Sequence, residues 1–256
     1  MSKRAFAVVA HPDDIEFFMA GTLLLLGQAG YELHYMTVAN GSVGTTEVDA
    51  DTIVRIRRAE SQAAAASIGA VYHDSLCNDI DIFYDRPTLA RMGSILREVA
   101  PDILLVHSPQ DYMEDHTNAC RLAVTAAFSR GMCNFPVEPP RPPSGGEVTI
   151  YHAQPHGNCG PLREPVQPHL FVDIGSVIEQ KRAMLACHAS QKAWLDASQG
   201  MDSYLDSMQE FSREVGRLSG RLTYAEGWRR HSHLGFCNAT ADPLSAALHA
   251  YMLAAS

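Results

Sequence analysis

At 256 residues, with 46% of positions hydrophobic and 19% charged, the chain has an ordinary globular composition and the length of one large α/β domain. Its formal charge of −9, without a dense run of Lys or Arg, argues against a nucleic-acid partner, whose phosphates need clustered cations. The six cysteines are scattered with no C-x-x-C pair, and the apolar run after Lys3 and Arg4 is soon broken, so the chain reads as cytoplasmic, without a disulfide framework, a signal peptide or a membrane span.

Ala5 to Ala10 is a short Val-rich apolar run, the signature of a strand buried on both faces of a parallel sheet. Ile15 to Gln28 follows with helical character and Gly30 as its stop. Glu32 to Val38 reads as a strand, and Asn40-Gly41 with Gly44 as a turn. An alanine-rich helix is expected over Thr52 to Ile68, then a short strand near Val71, a helix over Pro87 to Val99, a strand over Ile103 to Val106 and a helix over His116 to Ser129. This alternation predicts a doubly wound, mostly parallel sheet with right-handed crossovers.

Two proline-rich stretches, 135–146 and 155–168, interrupt the pattern. Val148 to Ala153 and Leu170 to Asp173 read as further strands of the same sheet, and Ser176 to Ala189 and Met201 to Ser219 as helices. The expectation is one domain over 1–256 with a loop-rich rim, in which the loops after Phe135 set specificity. Trp194, Trp228 and Tyr224 are read as packing or subunit-contact residues, in a monomer or a homo-oligomer.

The first strand ends in Ala10-His11-Pro12-Asp13-Asp14. Ligands of open α/β sheets bind beyond the carboxyl ends of the strands, where strand order reverses. His11 offers an imidazole nitrogen and Asp14 a carboxylate oxygen, an N,O pair that suits zinc or another divalent first-row metal. A bland alternative makes the same residues a turn with an aspartate capping the next helix. The strand Ile103 to Val106 breaks that tie, because it runs into His107 and then into Asp111-Tyr112-Met113-Glu114-Asp115-His116 at the start of a helix. If the first and fourth strands are neighbours, His116 faces His11 and Asp14 across the crevice. Three protein ligands leave a coordination position open for water, as catalytic zinc requires.

AHPDDIEFFMAGTLLLL and DYMEDHTNACRL resemble the two hallmark motifs of the PIG-L or LmbE-like family of zinc-dependent N-acetylglucosaminide deacetylases. RIRRAESQAAAASIGA resembles the family's Arg-x-x-Glu helix at Arg57 and Glu60, and FVDIGSVIEQKRAMLACHASQ its later strand and helix, closing on His188-Ala-Ser-Gln191. The resemblance implies a Rossmann-like fold and a metal triad of His11, Asp14 and His116, with Asp13 as general base. It also places Arg57 and Asp79 against the sugar, though Arg57 and Glu60 could equally form a surface pair along their helix. Asp115 is expected to orient a neighbouring imidazole. Relatives often carry a histidine three residues before the last ligand, where this chain has Met113. That leaves His188 as the candidate proton donor and oxyanion contact, or else a structural histidine, with rim residues His152 and His156 next in line. His169 fits no motif, and His231 and His233, two apart, are either alternate ligands or an incidental pair.

The function implied is removal of an N-acyl group, N-acetyl above all, from an amino sugar or its conjugate, the partner being a small molecule. Two other readings stay open: a thiol-conjugate amidase of the mycothiol or bacillithiol type, and a sugar- or metal-binding relative without catalysis.

Overall fold

The computed structural model of the chain describes residues 2–192 and 204–254. Five strands, β1 (Arg4–Val9), β2 (Glu32–Thr37), β3 (Val71–His73), β4 (Ile103–Val106) and β5 (Thr149–Ala153), lie parallel to one another. β6 (Leu170–Asp173), β7 (Ala225–Arg230) and β8 (Met252–Ala254) extend the same sheet through antiparallel pairings. The order is β3-β2-β1-β4-β5-β7-β6-β8, so strand order reverses between β1 and β4. Val8 pairs there with Met36 on one side and Val106 on the other. The doubly wound expectation holds, and strands on both sides of the proline-rich loops share one sheet.

Side chains alternate across each strand, so β1 feeds two cores. Ala5, Ala7 and Val9 join the core under α1 (Asp14–Phe18), α2 (Ala20–Gln28), α6 (Ile178–Leu185) and α7 (Tyr204–Leu218). Phe6, Val8 and Ala10 join the opposite core, under α4 (Arg86–Val99) and α5 (Glu114–Ser129). The remaining long helix, α3 (Ala50–Ser67), is closed at its start by Asp49 accepting from the Thr52 amide.

Three readings change and one is settled. The helix read over Ile15 to Gln28 breaks at Met19, whose φ of −146° is not helical, and α2 restarts with Glu226 of β7 accepting from the Gly21 and Thr22 amides at 2.8 and 2.7 Å. β7, β8 and the short helix α8 (Pro243–Ala247) were not foreseen. Residues 135–146 do not reach the rim; Val137 packs at Gly93 of α4, while Ser94 and Arg97 donate to the carbonyls of Pro139 and Arg141. Trp228 is fully buried with Nε1 donating to Thr22 Oγ1, which settles it as core, whereas Trp194 lies outside the described residues. None of the described helices is long and apolar enough to cross a membrane.

Candidate active site

Beyond the carboxyl ends of β1 and β4 a cavity of about 330 Å³ opens, with His11, Asp13, Asp14, Arg57, Asp79 and His116 in its wall. β1 delivers the first three through a bend in which Asp13 takes φ 93°, a left-handed conformation that aspartate tolerates better than most residues. α5 delivers His116 from its first turn, where Glu114 and Asp115 suit the positive end of the helix dipole.

His11, Asp14 and His116 each present one donor atom, all within 4.8 Å of one another. Asp14 Oδ2 lies 3.5 Å from His11 Nδ1 and 3.6 Å from His116 Nε2. The far nitrogen of each ring is held by a carboxylate: His11 Nε2 by Asp115 at 2.9 Å, His116 Nδ1 by Asp111 at 3.1 Å. Burial alone would depress both imidazoles, yet these carboxylates outweigh it, raising His116 and lifting His11 to about 10. Such a surplus of negative charge is what a dication would neutralise, and two imidazoles with one carboxylate are an ordinary donor set for zinc. His107, Asp111 and His116 form a second cluster of metal-binding residue types. There, however, His107 Nε2 already accepts from the Ala10 amide at 2.9 Å and His116 Nδ1 is bonded to Asp111. Because Ala10 N–H can only donate, the 3.2 Å approach of Asp14 to the same His107 nitrogen is a contact between acceptors. His107 instead stacks flat on His116, ring centroids 4.1 Å apart and 5° from parallel.

Asp13 lies beside this set. Burial lifts its carboxyl to about 6 against the pull of Arg57, whose Nη2 is 3.6 Å away, and Tyr204 hydrogen-bonds to it. Arg57 is only 2% exposed and donates to the Pro12 carbonyl at 2.7 Å, so it is no surface partner of Glu60. Glu60 turns away to accept from the Ser190 amide and hydroxyl. The Gly41–Gly44 turn wraps the guanidinium so closely that a Cβ on either glycine would stand 2.4 Å from an Arg57 atom. Asp79 accepts from the Gly41 and Val43 amides and lies 3.9 Å from Arg57, so it anchors this turn as well as lining the cavity.

His188 is elsewhere. It is fully buried and absent from the cavity wall, with Nε2 3.3 Å from Glu16 Oε2. As a group in contact with substrate it is therefore corrected: it sits behind Asp13, whose charge, with that of Glu16, raises its pKa despite burial. The imidazole outside the donor set that does line the cavity is His156, from the loop after β5, stacked on Phe17 with centroids 5.6 Å apart. His152 is buried and paired with His231 at 2.8 Å, and His169, His231 and His233 line a separate surface depression.

Residues 6–128 match the family described as GlcNAc-PI de-N-acetylase, PIG-L. The chain is also 30% identical over 234 residues, 88% of each protein, to a 4-oxalmesaconate hydratase of Pseudomonas putida. The chain belongs to the PIG-L family. It is 28% identical over 238 residues to diacetylchitobiose deacetylase of Thermococcus kodakarensis, covering 89% of this chain and 82% of that one. The structure of 4-carboxy-2-hydroxymuconate hydratase from Pseudomonas putida superposes with a TM-score of 0.74 at 26% identity, over 94% of this chain and 99% of that one.

Several residues of this PIG-L site escaped the sequence reading. His107 directly follows β4 as His11 closely follows β1, and the strand-end argument applied to it too would have found it. Asp111 lay inside a quoted motif without a role. Tyr204 opens α7 on an amphipathic pattern that marks it only as core. Gln191 closes the last motif; its Oε1 is buried in the cavity wall without a partner among the described residues, an acceptor available to a ligand N–H or O–H.

Proposed function

We propose that the chain is a metal-dependent hydrolase, with zinc the first choice of metal, that removes an N-acetyl or other N-acyl group from an amino sugar or its conjugate. The observation that carries this reading is the buried carboxylate of Asp13, lifted to about 6, beside the His11, Asp14 and His116 donor set at the end of a cavity. A general base serves best with a pKa near the working pH, and an idle structural carboxylate has no need of one.

His11 Nδ1, Asp14 Oδ2 and His116 Nε2 would hold the cation, which supplies an acidified water and polarisation of the scissile carbonyl. Asp115 and Asp111 keep the two imidazoles in the tautomers that leave those nitrogens free. Asp13 takes the proton of the attacking water as oxygen bonds to the acyl carbon; Arg57 and Tyr204 keep the carboxyl ionised and aimed. The C–N bond then breaks and the amine leaves with a proton. Met113 cannot provide it, and His156, the cavity's imidazole outside the donor set, is the group we assign to that transfer. Arg57, Asp79 and Gln191 face the sugar. The cysteines form no disulfide, in keeping with a cytoplasmic protein.

The test is release of acetate from N-acetylglucosamine, diacetylchitobiose and N-acetylglucosaminyl conjugates by the zinc-loaded protein, followed by liquid chromatography. No release from any member of the panel sinks the reading. A second reading, hydration of an unsaturated oxo-tricarboxylate, is favoured by the 30% identical hydratase relative and by Met113 in the cavity wall, at the position where the deacetylases this chain resembles often carry a histidine. Loss of the ultraviolet absorption of a conjugated hydroxymuconate, without acetate release from any amide, would establish it instead.

A further inference from the structure

The cavity is graded from polar floor to apolar mouth. Asp13, Asp14, Arg57, His116, Gln191 and Tyr204 are each less than a tenth exposed, whereas Val43, Ile80 and Tyr112 are 53%, 67% and 62% exposed at its opening. Three large apolar side chains left in water at one place are an unusual surface for a protein to keep without an occupant.

Ile80 makes the arrangement specific. It holds φ +66°, a left-handed conformation that a β-branched residue adopts only when its surroundings impose it. What imposes it is the Ile80 amide donating at 2.7 Å to Asp115 Oδ2, the same oxygen that lies 2.9 Å from His11 Nε2. The isoleucine at the mouth is thus fixed relative to the candidate metal ligands. Next to it, Val43 belongs to the turn anchored by Asp79, the residue before Ile80, so it is fixed too. A free hexose carries hydroxyls around its ring, and pressing them on valine and isoleucine would strip their water without returning hydrogen bonds. An alkyl or aryl group placed there leaves water at no such cost.

We infer that the natural substrate carries an apolar substituent next to its amino sugar, seated against Val43, Ile80 and Tyr112. This rests on the hydrolase reading for the sugar. The substituent is an acyl chain longer than acetyl or an alkyl or aryl aglycone; the two share their chemistry at the mouth and differ in where they attach.

The test uses the zinc-loaded full chain. Values of kcat/KM are compared for N-acetylglucosamine, N-hexanoylglucosamine and hexyl N-acetylglucosaminide, and calorimetry compares binding of hexyl and methyl glucosaminide, which have no amide to cleave. One hexyl series should exceed N-acetylglucosamine by about 10-fold or more, as several methylenes in an apolar pocket imply, and the better series identifies the attachment point. Ile80→Asn keeps the backbone donor and suits positive φ; it should shrink that ratio several-fold. If no amide is cleaved but hexyl glucosaminide binds at least about 10-fold tighter than methyl, the apolar mouth stands and the hydrolase reading falls. Equal rates with equal binding, or a hexyl preference untouched by Ile80→Asn, overturns the inference.

Discussion

Asp115 Oδ2 lies 2.9 Å from His11 Nε2, which turns the other ring nitrogen, Nδ1, toward Asp14. Ligand and orienting carboxylate should therefore fail differently. His11→Ala, Asp14→Ala and His116→Ala should each leave the folded protein without bound metal. Asp115→Ala should keep the site and weaken metal affinity by about 10–100-fold. Metal analysis after dialysis, with titration of the apo-protein, separates the two classes. Full occupancy in His116→Ala would move the site elsewhere.

Asp13 is close to the donor set without belonging to it. Asp13→Asn is nearly isosteric and should retain metal while slowing turnover by about 10²–10⁴. The base must be ionised to act, so kcat/KM should rise with pH through its pKa and level off above it. A neighbouring dication favours the ionised form, so this acid limb should fall at or below the value of about 6 that burial gives the carboxyl without one. An Asp13→Asn protein that loses its metal would make Asp13 a ligand.

The meeting of His11, Asp14 and His116 was legible in the sequence because it depends on position along a strand: His-Pro-Asp-Asp follows a buried apolar run, and strand ends meet at the switch point. Depth was not legible. His188 sits in a motif as suggestive as that of His116, but the break at Met19 and the packing of α1 on α6 put it behind Asp13, facing Glu16. β7 was missed because its glutamate and glycine look like turn residues. Glu226 is buried because it bonds to two amides and an ammonium, none of them near it in sequence. His156 belongs to a loop without periodicity, and only the fold carries it over Phe17.

His156 and His188 now have separable roles. His156→Ala should lower kcat by about 10²–10³ with metal retained, and Met113→His should restore part of the loss. His188→Ala should leave a larger kcat but move the acid limb of kcat/KM upward, because a raised-pKa imidazole that favours ionised Asp13 has been removed. If His188→Ala instead abolishes turnover with an unmoved pH profile, its assignment behind Asp13 is wrong.

Lys181 is fully buried, with Nζ 2.7 Å from Glu226 Oε1. Lys181→Met would leave a buried carboxylate without its counter-charge, at an expected loss of about 3–5 kcal/mol. Urea unfolding measures it. A change below about 1 kcal/mol would mean that the two amide donors of α2 alone sustain the charge.

His152 is 4% exposed, and burial lowers its pKa from 6.5 to about 4. The unfolded chain thus binds a proton that the folded chain refuses, so stability is intact above pH 6.5 and falls as pH drops toward 4. Between pH 7 and 5 this one group should remove about 2 kcal/mol, and His152→Gln should flatten the decline by that amount. Parallel declines in wild type and variant would place the proton uptake at other histidines.

The cap that Glu226 provides to α2 also bears on how the protein is made. All three candidate ligands lie within residues 6–128, the part matched by the family. α2, the second helix after His11, however, receives side-chain acceptors for its first amides from a strand that leaves the ribosome more than a hundred residues later. A nascent chain thus carries every ligand well before the helix behind two of them has its terminus closed. Ligand supply and site completion are separate events in synthesis, and a chain halted between them would carry the three ligands without the glutamate that closes α2.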